Sequence, residues 1–220
     1  MTDSSRRLEK YLEGIDNWLR KIPNLRIIIC DGTGYDWHPE IMRHYCNSHI
    51  ECLSFFNDIN AVKMFGKGYG EIQILNYAIE NSKFLKKSKH FMKITGKYWV
   101  ENIEAFSISE LFPDFKFKST FKIKGWTLLY VNSAFFICSI CAYRKYLYDS
   151  FHLVNDHVGN DLEHVLGRIL VKNKIKNYQF THSPAICGWS GTGDHSFNLG
   201  SVTLKDKFRE IKYLILSWIL

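Results

Sequence analysis

Apolar and polar residues follow one another along the chain in two periods, one typical of helices and one typical of strands. An apolar residue every three or four positions predicts an amphipathic helix, whereas a short continuous apolar run predicts a buried strand. The first half of the chain alternates the two, which predicts a mostly parallel sheet with helices packed on it. The predicted strands are residues 25–30, 50–56 and 90–95, and the predicted helices are residues 8–20, 39–46 and 69–85, the last entered through a flexible glycine-rich segment at 66–70.

The second half of the chain has a more varied pattern. Phenylalanines alternate with lysines over residues 112–124, which predicts a strand or ribbon with one wet face. Two apolar runs separated by Asn132 and Ser133 predict two strands within residues 126–138. The remaining predicted elements are helices at 143–151 and 161–171, a short strand at 177–181, a long loop at 184–200 and a helix at 202–220.

Composition limits the class of protein. The chain has 220 residues, 46% of them hydrophobic and 23% charged, so we expect one globular domain over residues 1–220 and exclude a disordered chain or a coiled coil. Lysine and arginine exceed the acids by 29 − 22 = 7, which favours anionic partners. These basic residues are spread out, and no zinc-finger or helix-turn-helix signature accompanies them, so no nucleic-acid partner is expected.

Cysteine usage and the two chain ends bear on the compartment. The six cysteines lie mostly in apolar runs, as reduced core thiols do, and the first residues have no apolar signal-peptide core, so we expect a cytoplasmic protein. The last ten residues are strongly apolar but about half the length needed to cross a bilayer. We therefore expect residues 203–220 to form an amphipathic segment that lies on the inner face of the cell membrane or docks on a partner.

Candidate chemistry lies first where the third predicted strand ends. That strand stops at Thr95 and Gly96, and Lys97 and Glu101 follow, interleaved with Tyr98. Open α/β sheets bind their ligands at the carboxyl ends of strands, although an ordinary strand-to-helix turn has the same residues.

The glycine-rich loops give two further candidates. A loop rich in glycine and aspartate, beginning at Asp31 and Gly32, follows the first predicted strand and would suit a nucleotide; a tight turn is the alternative. Lys67 and Glu71 flank the glycine-rich start of a predicted helix, where backbone amides could bind phosphate. A solvated helix cap is the alternative there.

Two groups of metal-binding residue types do not predict a metal site. Cys138 and Cys141 form a lone CxxC within an apolar run, which favours core packing. The histidines and cysteines between residues 38 and 52 match no standard zinc spacing.

The run GKGYGEIQILNYAIENSKFLKKSKHFMKITGKYWVEN, with VNDHVGNDLEHVLGRIL and GWSGTGDH downstream, resembles bacterial glycosyltransferases of the GT-A type. It is similar in particular to small enzymes of capsule and lipopolysaccharide biosynthesis, including galactofuranosyltransferases, that carry K-x-T-G-[RK]-Y in place of Asp-X-Asp. The resemblance covers roughly residues 25–195.

This resemblance implies a GT-A-like (Rossmann-type) fold, a nucleotide-sugar donor and transfer of one sugar to a growing glycan. The implied donor is a UDP-linked hexose or galactofuranose, and the implied acceptor is a lipid-linked glycan or polysaccharide. In GT-A enzymes Asp-X-Asp holds a divalent cation against the donor diphosphate. Here Thr95, Gly96, Lys97 and Tyr98 stand in that place, so we expect no required cofactor, little or no metal dependence, and Lys97 or another cation to neutralise the diphosphate.

The resemblance also implies roles for later residues. An inverting transfer needs a carboxylate to accept the proton of the attacking hydroxyl, and Glu163 or Asp161, at the start of a late helix, is the implied base. Both could instead be helix-start acids favoured by the dipole. Asp31 and Gly32 would contact the nucleobase or ribose. The implied lid over donor or acceptor, for which a passive loop is the alternative, comprises Trp189, Ser190, Gly191, Thr192, Asp194 and His195.

Two other functions fit parts of the same pattern. A non-catalytic module could keep a nucleotide-sugar pocket without the chemistry, and it would bind donor without turning it over. A basic nucleic-acid-binding domain would show a steep salt dependence for oligonucleotides.

Overall fold

A computed structural model describes residues 4–45, 49–122, 127–189 and 196–198 of the chain. Over these ranges the protein is mixed α/β, as predicted. The predicted C-terminal helix at 202–220, and with it the amphipathic segment at 203–220, lies outside the described residues.

The described helices are of very different lengths. The first, third, fourth and last of them matter most for the candidate site. In chain order they are α1 (Ser4–Lys21), α2 (His38–His44), α3 (Ile59–Phe65), α4 (Lys67–Asn81), α5 (Ile108–Leu111), α6 (Ile140–Ala142) and α7 (Leu162–Lys172). A π-helical turn (Tyr143–Leu147) and a 3-10 turn (Tyr148–Leu153) continue α6, and further 3-10 turns are Leu85–Lys87, Ile103–Ala105 and Asp156–Val158.

The described strands form three small sheets. The strands are β1 (Ile27–Asp31), β2 (Ile50–Ser54), β3 (His90–Ile94), β4 (Tyr98–Val100), β5 (Phe115–Lys122), β6 (Thr127–Ser139), β7 (Ile186–Trp189) and β8 (Ser196–Asn198). The sheets have the orders β1-β2, β3-β6-β5 and β4-β7-β8.

The prediction of a mostly parallel sheet is wrong for the described strands. The β1–β2 pair is parallel, but both three-stranded sheets are antiparallel. Only four residues separate β5 from β6, which is too short for the crossover that parallel neighbours require. The GT-A-like arrangement implied by the resemblance therefore stays a prediction.

Several predicted elements have different boundaries in the structure. The glycine-rich segment at 66–70 is not a flexible entry, because α4 begins at Lys67 and takes most of that segment into its first turn. The two strands predicted within 126–138 are one strand, β6. The helix predicted at 143–151 consists of π and 3-10 turns.

Other differences concern elements that the pattern missed. Helix α3 was not predicted. The predicted loop at 184–200 contains β7 and β8. The strand predicted at 177–181 is represented by one parallel bridge, between Phe117 and Gln179.

Among the described residues, the core consists of three hydrophobic clusters that share elements. Strand β6 contributes to two of them: Phe136 faces the cluster beneath α4 and α7, and Phe135 and Ile137 face the cluster beneath α1 and β4. Ile27 of β1 packs against the second cluster and also against the third, which lies between α1 and α2. Consequently α1 and α7 cover opposite faces of the β3-β6-β5 sheet.

No helix in the described part of the chain is both long enough and apolar enough to cross a membrane.

Candidate functional site

Four polar side chains from four elements form a continuous chain of contacts, which we call the carboxylate network: Glu71, Lys93, Ser133 and Glu163. Lys93 points from the middle of β3 and is only 8% exposed. Its ammonium pairs with the carboxylate of Glu71 on α4 and donates to the backbone oxygen of Ser133 at 2.6 Å. The hydroxyl of Ser133 in turn donates to Oε1 of Glu163 on α7 at 2.5 Å.

A bulge in β6 makes this arrangement possible. The pairing with β5 jumps from Phe117–Phe136 to Lys118–Asn132, so residues 133–135 bulge out of that ladder. Such bulges redirect side chains and backbone groups locally. Here the bulge brings the backbone oxygen of Ser133 to Lys93 and its hydroxyl to Glu163. It also lets the backbone N–H of Thr95 donate to Ala134 at 3.0 Å.

Glu163 and Asp161 have different surroundings at the start of α7. Asp161 is the N-cap: its Oδ1 accepts the backbone N–H of His164 at 2.9 Å and contacts the imidazole Nδ1 of the same residue at 2.7 Å. This is the structural role named as the alternative for Asp161. Glu163 instead faces Ser133 of the sheet. Burial raises the pKa of the nearby Tyr130 phenol, and the charges of Glu163 and Asp161 raise it further.

The predicted nucleotide contacts after β1 are engaged in a turn. Oδ1 of Asp31 accepts the backbone N–H of Thr33 at 2.7 Å and its hydroxyl at 2.5 Å. Gly32 is buried against Asn57: a Cβ there would lie 2.6 Å from the Asn57 amide nitrogen. Asn57 Oδ1 is buried and has no hydrogen-bond partner within the described ranges. The tight-turn alternative therefore has direct contacts in its favour.

The start of α4, predicted to bind phosphate, holds a carboxylate of the protein itself. Oδ2 of Asp156 accepts the backbone N–H of Gly68 at 3.2 Å. Gly66 has φ +100°, and a Cβ at that position would lie 2.3 Å from the same oxygen. Lys67 is exposed, and Glu71 points into the carboxylate network. An anionic ligand at these amides would have to displace Asp156.

The segment predicted to bind the donor diphosphate is divided between two regions of the structure. Its residues are Thr95, Gly96, Lys97 and Tyr98. The Thr95 hydroxyl accepts from Lys93 at 3.3 Å, at the edge of the carboxylate network. Lys97 is only 8% exposed, and its ammonium lies 5.6 Å from the centre of the Tyr11 ring on α1.

We call the contact of α1 with β4 and β7 the α1 seam. The Trp18 indole of α1 donates to the backbone oxygen of Tyr98 at 3.1 Å. Trp189 of β7 donates from Nε1 to Glu13 at 3.2 Å, and the Lys10 ammonium lies 4.0 Å from its ring centre. Trp189 is thus placed against α1. The other predicted lid residues, Ser190, Gly191, Thr192, Asp194 and His195, lie outside the described residues.

The structure brings some of the predicted site residues together in three places, whereas Lys67 is exposed at the start of α4 and Asp161 caps α7. Glu71 and Glu163 share the carboxylate network, Tyr98 and Trp189 join Lys97 at the α1 seam, and Asp31 lies at the carboxyl edge of β1.

Sequence reasoning missed four residues with a place in these regions. For two of them the sequence contains a usable signal: Lys93 lies within an apolar strand, and Ser133 belongs to a polar pair that interrupts an apolar run. Nothing in the local pattern marks the others, because their contacts come from distant parts of the chain. The four are Asn57, Lys93, Ser133 and Asp156.

Among the described residues, no group of three or more His, Cys, Asp or Glu side chains is arranged to hold a metal ion. The expected weak metal dependence stays a prediction. What the network does offer is a carboxylate at a helix N-terminus, oriented by a hydroxyl and able to accept a proton.

Against known proteins, the chain matches no protein family, no curated protein and no solved structure.

Proposed function

We propose that the protein is an inverting glycosyltransferase in which Glu163 is the general base. It would move a hexose or galactofuranose from a nucleotide donor, UDP by preference, to a hydroxyl of a lipid-linked or polysaccharide acceptor. The observation that carries the proposal is the 2.5 Å hydrogen bond from the Ser133 hydroxyl to Glu163, because it orients a carboxylate at the start of α7.

The chemistry requires one proton acceptor. As the acceptor oxygen attacks the anomeric carbon, its proton passes to Glu163, the bond between that carbon and the diphosphate oxygen breaks, and the nucleoside diphosphate leaves. Ser133 occupies one carboxylate oxygen of Glu163, and the other can accept from the incoming hydroxyl.

The parallel β1–β2 pair supports a donor site at its carboxyl edge, beside Asp31 and Gly32. Lys97, predicted to neutralise the diphosphate, is buried against α1, whereas Lys67, predicted beside a phosphate-binding helix start, extends into solvent. The acceptor class would place the enzyme in the cytoplasm, at the inner face of the cell membrane.

A donor screen followed by a turnover assay tests this proposal. UDP-, GDP-, CMP- and dTDP-sugars, each with and without Mn²⁺, are compared by thermal shift, because a true donor raises the melting temperature by mass action. Donor hydrolysis and transfer are then measured for the wild type, Glu163→Gln and Glu104→Gln. Glu104 is an exposed acid outside the carboxylate network and is the matched control.

We expect Glu163→Gln to lower kcat by about 10²–10⁴-fold, the usual share of general-base catalysis, with little change in melting temperature. Glu104→Gln should behave as wild type. Turnover by Glu163→Gln near the wild-type rate would remove Glu163 from this role. Donor binding without any turnover by the wild type would favour the non-catalytic module instead.

A further inference from the structure

Helix α3 has apolar side chains on both of its faces. Val62 and Phe65 turn inward, where the Phe65 ring lies 5.1 Å from that of Tyr69 on α4. Ile59 and Met64, at the two edges of the outer face, are 64% and 63% exposed, and Asn60 and Lys63 lie between them. An amphipathic helix normally places polar residues on the outer face, so these two exposed side chains call for a reason.

Neighbouring segments extend this apolar surface. Phe56, which precedes α3, is 81% exposed, and Val158 is 66% exposed. The turn containing Val158 is held against α3, since His157 Nε2 lies 3.2 Å from the backbone oxygen of Lys63. We define the α3 patch as Phe56, Ile59, Lys63, Met64, Lys67 and Val158.

The charges within the patch are positive. Both lysines are exposed: Lys63 lies on the outer face of α3, and Lys67 lies two residues beyond the end of that helix. The acid nearest in sequence, Asp58, caps α3: its Oδ1 accepts the backbone N–H groups of Asn60 and Ala61 at 3.1 and 3.0 Å. The whole chain carries a formal net charge of +7.

We propose that the α3 patch docks on an anionic lipid bilayer, with its apolar side chains in the headgroup region and its lysines against lipid phosphates. Lysines among exposed apolar side chains are the pattern of interfacial membrane binding. Protein–protein interfaces, in contrast, are depleted of lysine in their apolar centres, which makes a protein the weaker match.

Docking in this way would orient the molecule. Phe56 follows β2 and bridges to Thr33, just beyond the end of β1. The patch therefore adjoins the carboxyl edge of the β1–β2 pair, and that edge would face the bilayer. The inference does not depend on the glycosyltransferase proposal, since it concerns binding to lipid alone.

Vesicle co-sedimentation of the full chain tests it, using phosphatidylcholine vesicles with and without phosphatidylglycerol. The patch variants are Ile59→Ser/Met64→Ser and Lys63→Glu. The matched controls are Phe112→Ser, at an apolar residue that is 62% exposed outside the patch, and Lys176→Glu, at an exposed lysine outside it.

We expect the wild type to bind the anionic vesicles and to bind the neutral ones at least about tenfold more weakly. Each patch variant should lose about tenfold in affinity for anionic vesicles, and each control should stay within about twofold of wild type. Because all substituted side chains are exposed, the melting temperatures should remain close to that of the wild type, which separates lost docking from lost folding.

Two results would overturn the proposal. One is the absence of vesicle binding by the wild type, which would leave a protein as the better occupant of the patch. The other is patch variants that bind as well as their controls, which would assign the lipid contact to another part of the chain, such as residues 203–220.

Discussion

Lys93 and Lys97 are four residues apart and equally buried, yet they belong to two regions with different designs. Lys93 lies in the carboxylate network, where its ammonium pairs with Glu71 and contacts the bulge of β6. Lys97 lies in the α1 seam, with its ammonium over the ring of Tyr11. The first region links two carboxylates through a lysine and a serine, whereas the second combines close backbone packing with aromatic rings that contact charged groups of α1.

A turn between the two lysines explains the difference. The backbone N–H of Tyr98 donates to Thr95 at 2.9 Å, and the chain passes there from the β3-β6-β5 sheet to the β4-β7-β8 sheet. A motif that is continuous in sequence is therefore shared between a polar region and a packed one. Contiguity along the chain is a poor guide to which residues share a site.

The largest effect should come from the α1 seam, at Gly188. This residue has φ +129°, and an added Cβ would lie 2.1 Å from the backbone oxygen of Lys97. Backbone strain and overpacking together should make Gly188→Ala lose about 4 kcal/mol of unfolding free energy in urea titrations.

Gly159→Ala is the matched control for Gly188→Ala. Gly159 also has a positive φ, +74°, but an added Cβ there would meet nothing within 4 Å. It should lose only about 1 kcal/mol, the cost of the backbone conformation alone. Equal losses of unfolding free energy in the two variants would contradict the claim that close packing between β4 and β7 makes Gly188 sensitive to substitution.

The stability of the carboxylate network should depend on the pairing of opposite charges rather than on close packing. Lys93→Met leaves Glu71 without its partner, and we expect a loss of about 3 kcal/mol, because a carboxylate in a largely buried setting then lacks compensation. The double variant Glu71→Gln/Lys93→Met removes both charges and should recover part of that loss, as read from a double-mutant cycle in urea. A double variant less stable than Lys93→Met would contradict the assignment of this pair.

A smaller stability effect, with a kinetic signature, is expected at Ser133. Ser133→Ala removes the hydrogen bond to Glu163 and should lose about 1 kcal/mol of stability. Under the proposed function it should also lower kcat by about tenfold with KM nearly unchanged, because the base is less well oriented.

Ser150→Ala is the control for that kinetic effect. The Ser150 side chain is also buried, and its hydroxyl donates to the backbone oxygen of Leu147 at 2.5 Å. It should lose similar stability without a change in kcat. Equal effects of the two substitutions on kcat would reduce Ser133 to a structural residue.

The smallest expected effects are on the pH dependence of stability. One group should lose its stabilising contribution as pH falls, and the other as pH rises. Hydrogen bonds from Lys21 and Trp99 lower the pKa of Glu101 at the α1 seam. Its contribution is therefore present above the ordinary carboxyl pKa and lost as pH falls through the lowered value. Burial, then the charges of Glu163 and Asp161, raise the pKa of Tyr130, so its contribution is lost as pH rises beyond about 10.

Melting temperatures measured across pH should separate the two groups. Glu101→Gln should flatten the acid limb alone, and Tyr130→Phe the alkaline limb alone. A substitution that flattens the opposite limb would show that other groups control the profile.

Much of the secondary structure was predictable, because it depends on local periodicity. Helix α1 and strands β1, β2 and β3 lie within two residues of the predicted bounds at most ends. Helix α3 was not predicted because the exposed Ile59 and Met64 interrupt the helical spacing of apolar residues. Strand β7 was predicted as loop because glycines such as Gly188 are typical of loops. In the structure the positive φ of Gly188 allows β7 to approach β4 closely.

Strand partners and the site were less predictable, since both depend on distant contacts. Alternation along β6 does not say that β3 and β5 pair with it antiparallel. Glu163 and Glu71 could be selected as acids near helix starts, but the lysine that connects to them, Lys93, was hidden in a strand whose neighbours are apolar. The residues next to a side chain in sequence do not indicate which residue it will contact across the sheet.

The bulge of β6 fixes a spacing that distant relatives of this chain should retain. Since side chains alternate across a strand, one residue inserted or deleted between Asn132 and Phe136 would exchange the two faces of β6, moving Phe136 out of one cluster and Ile137 out of the other. The turn at Gly159, where an added side chain meets open space, carries no such restriction. Homologous sequences should therefore vary in length at the turn and keep three residues at the bulge.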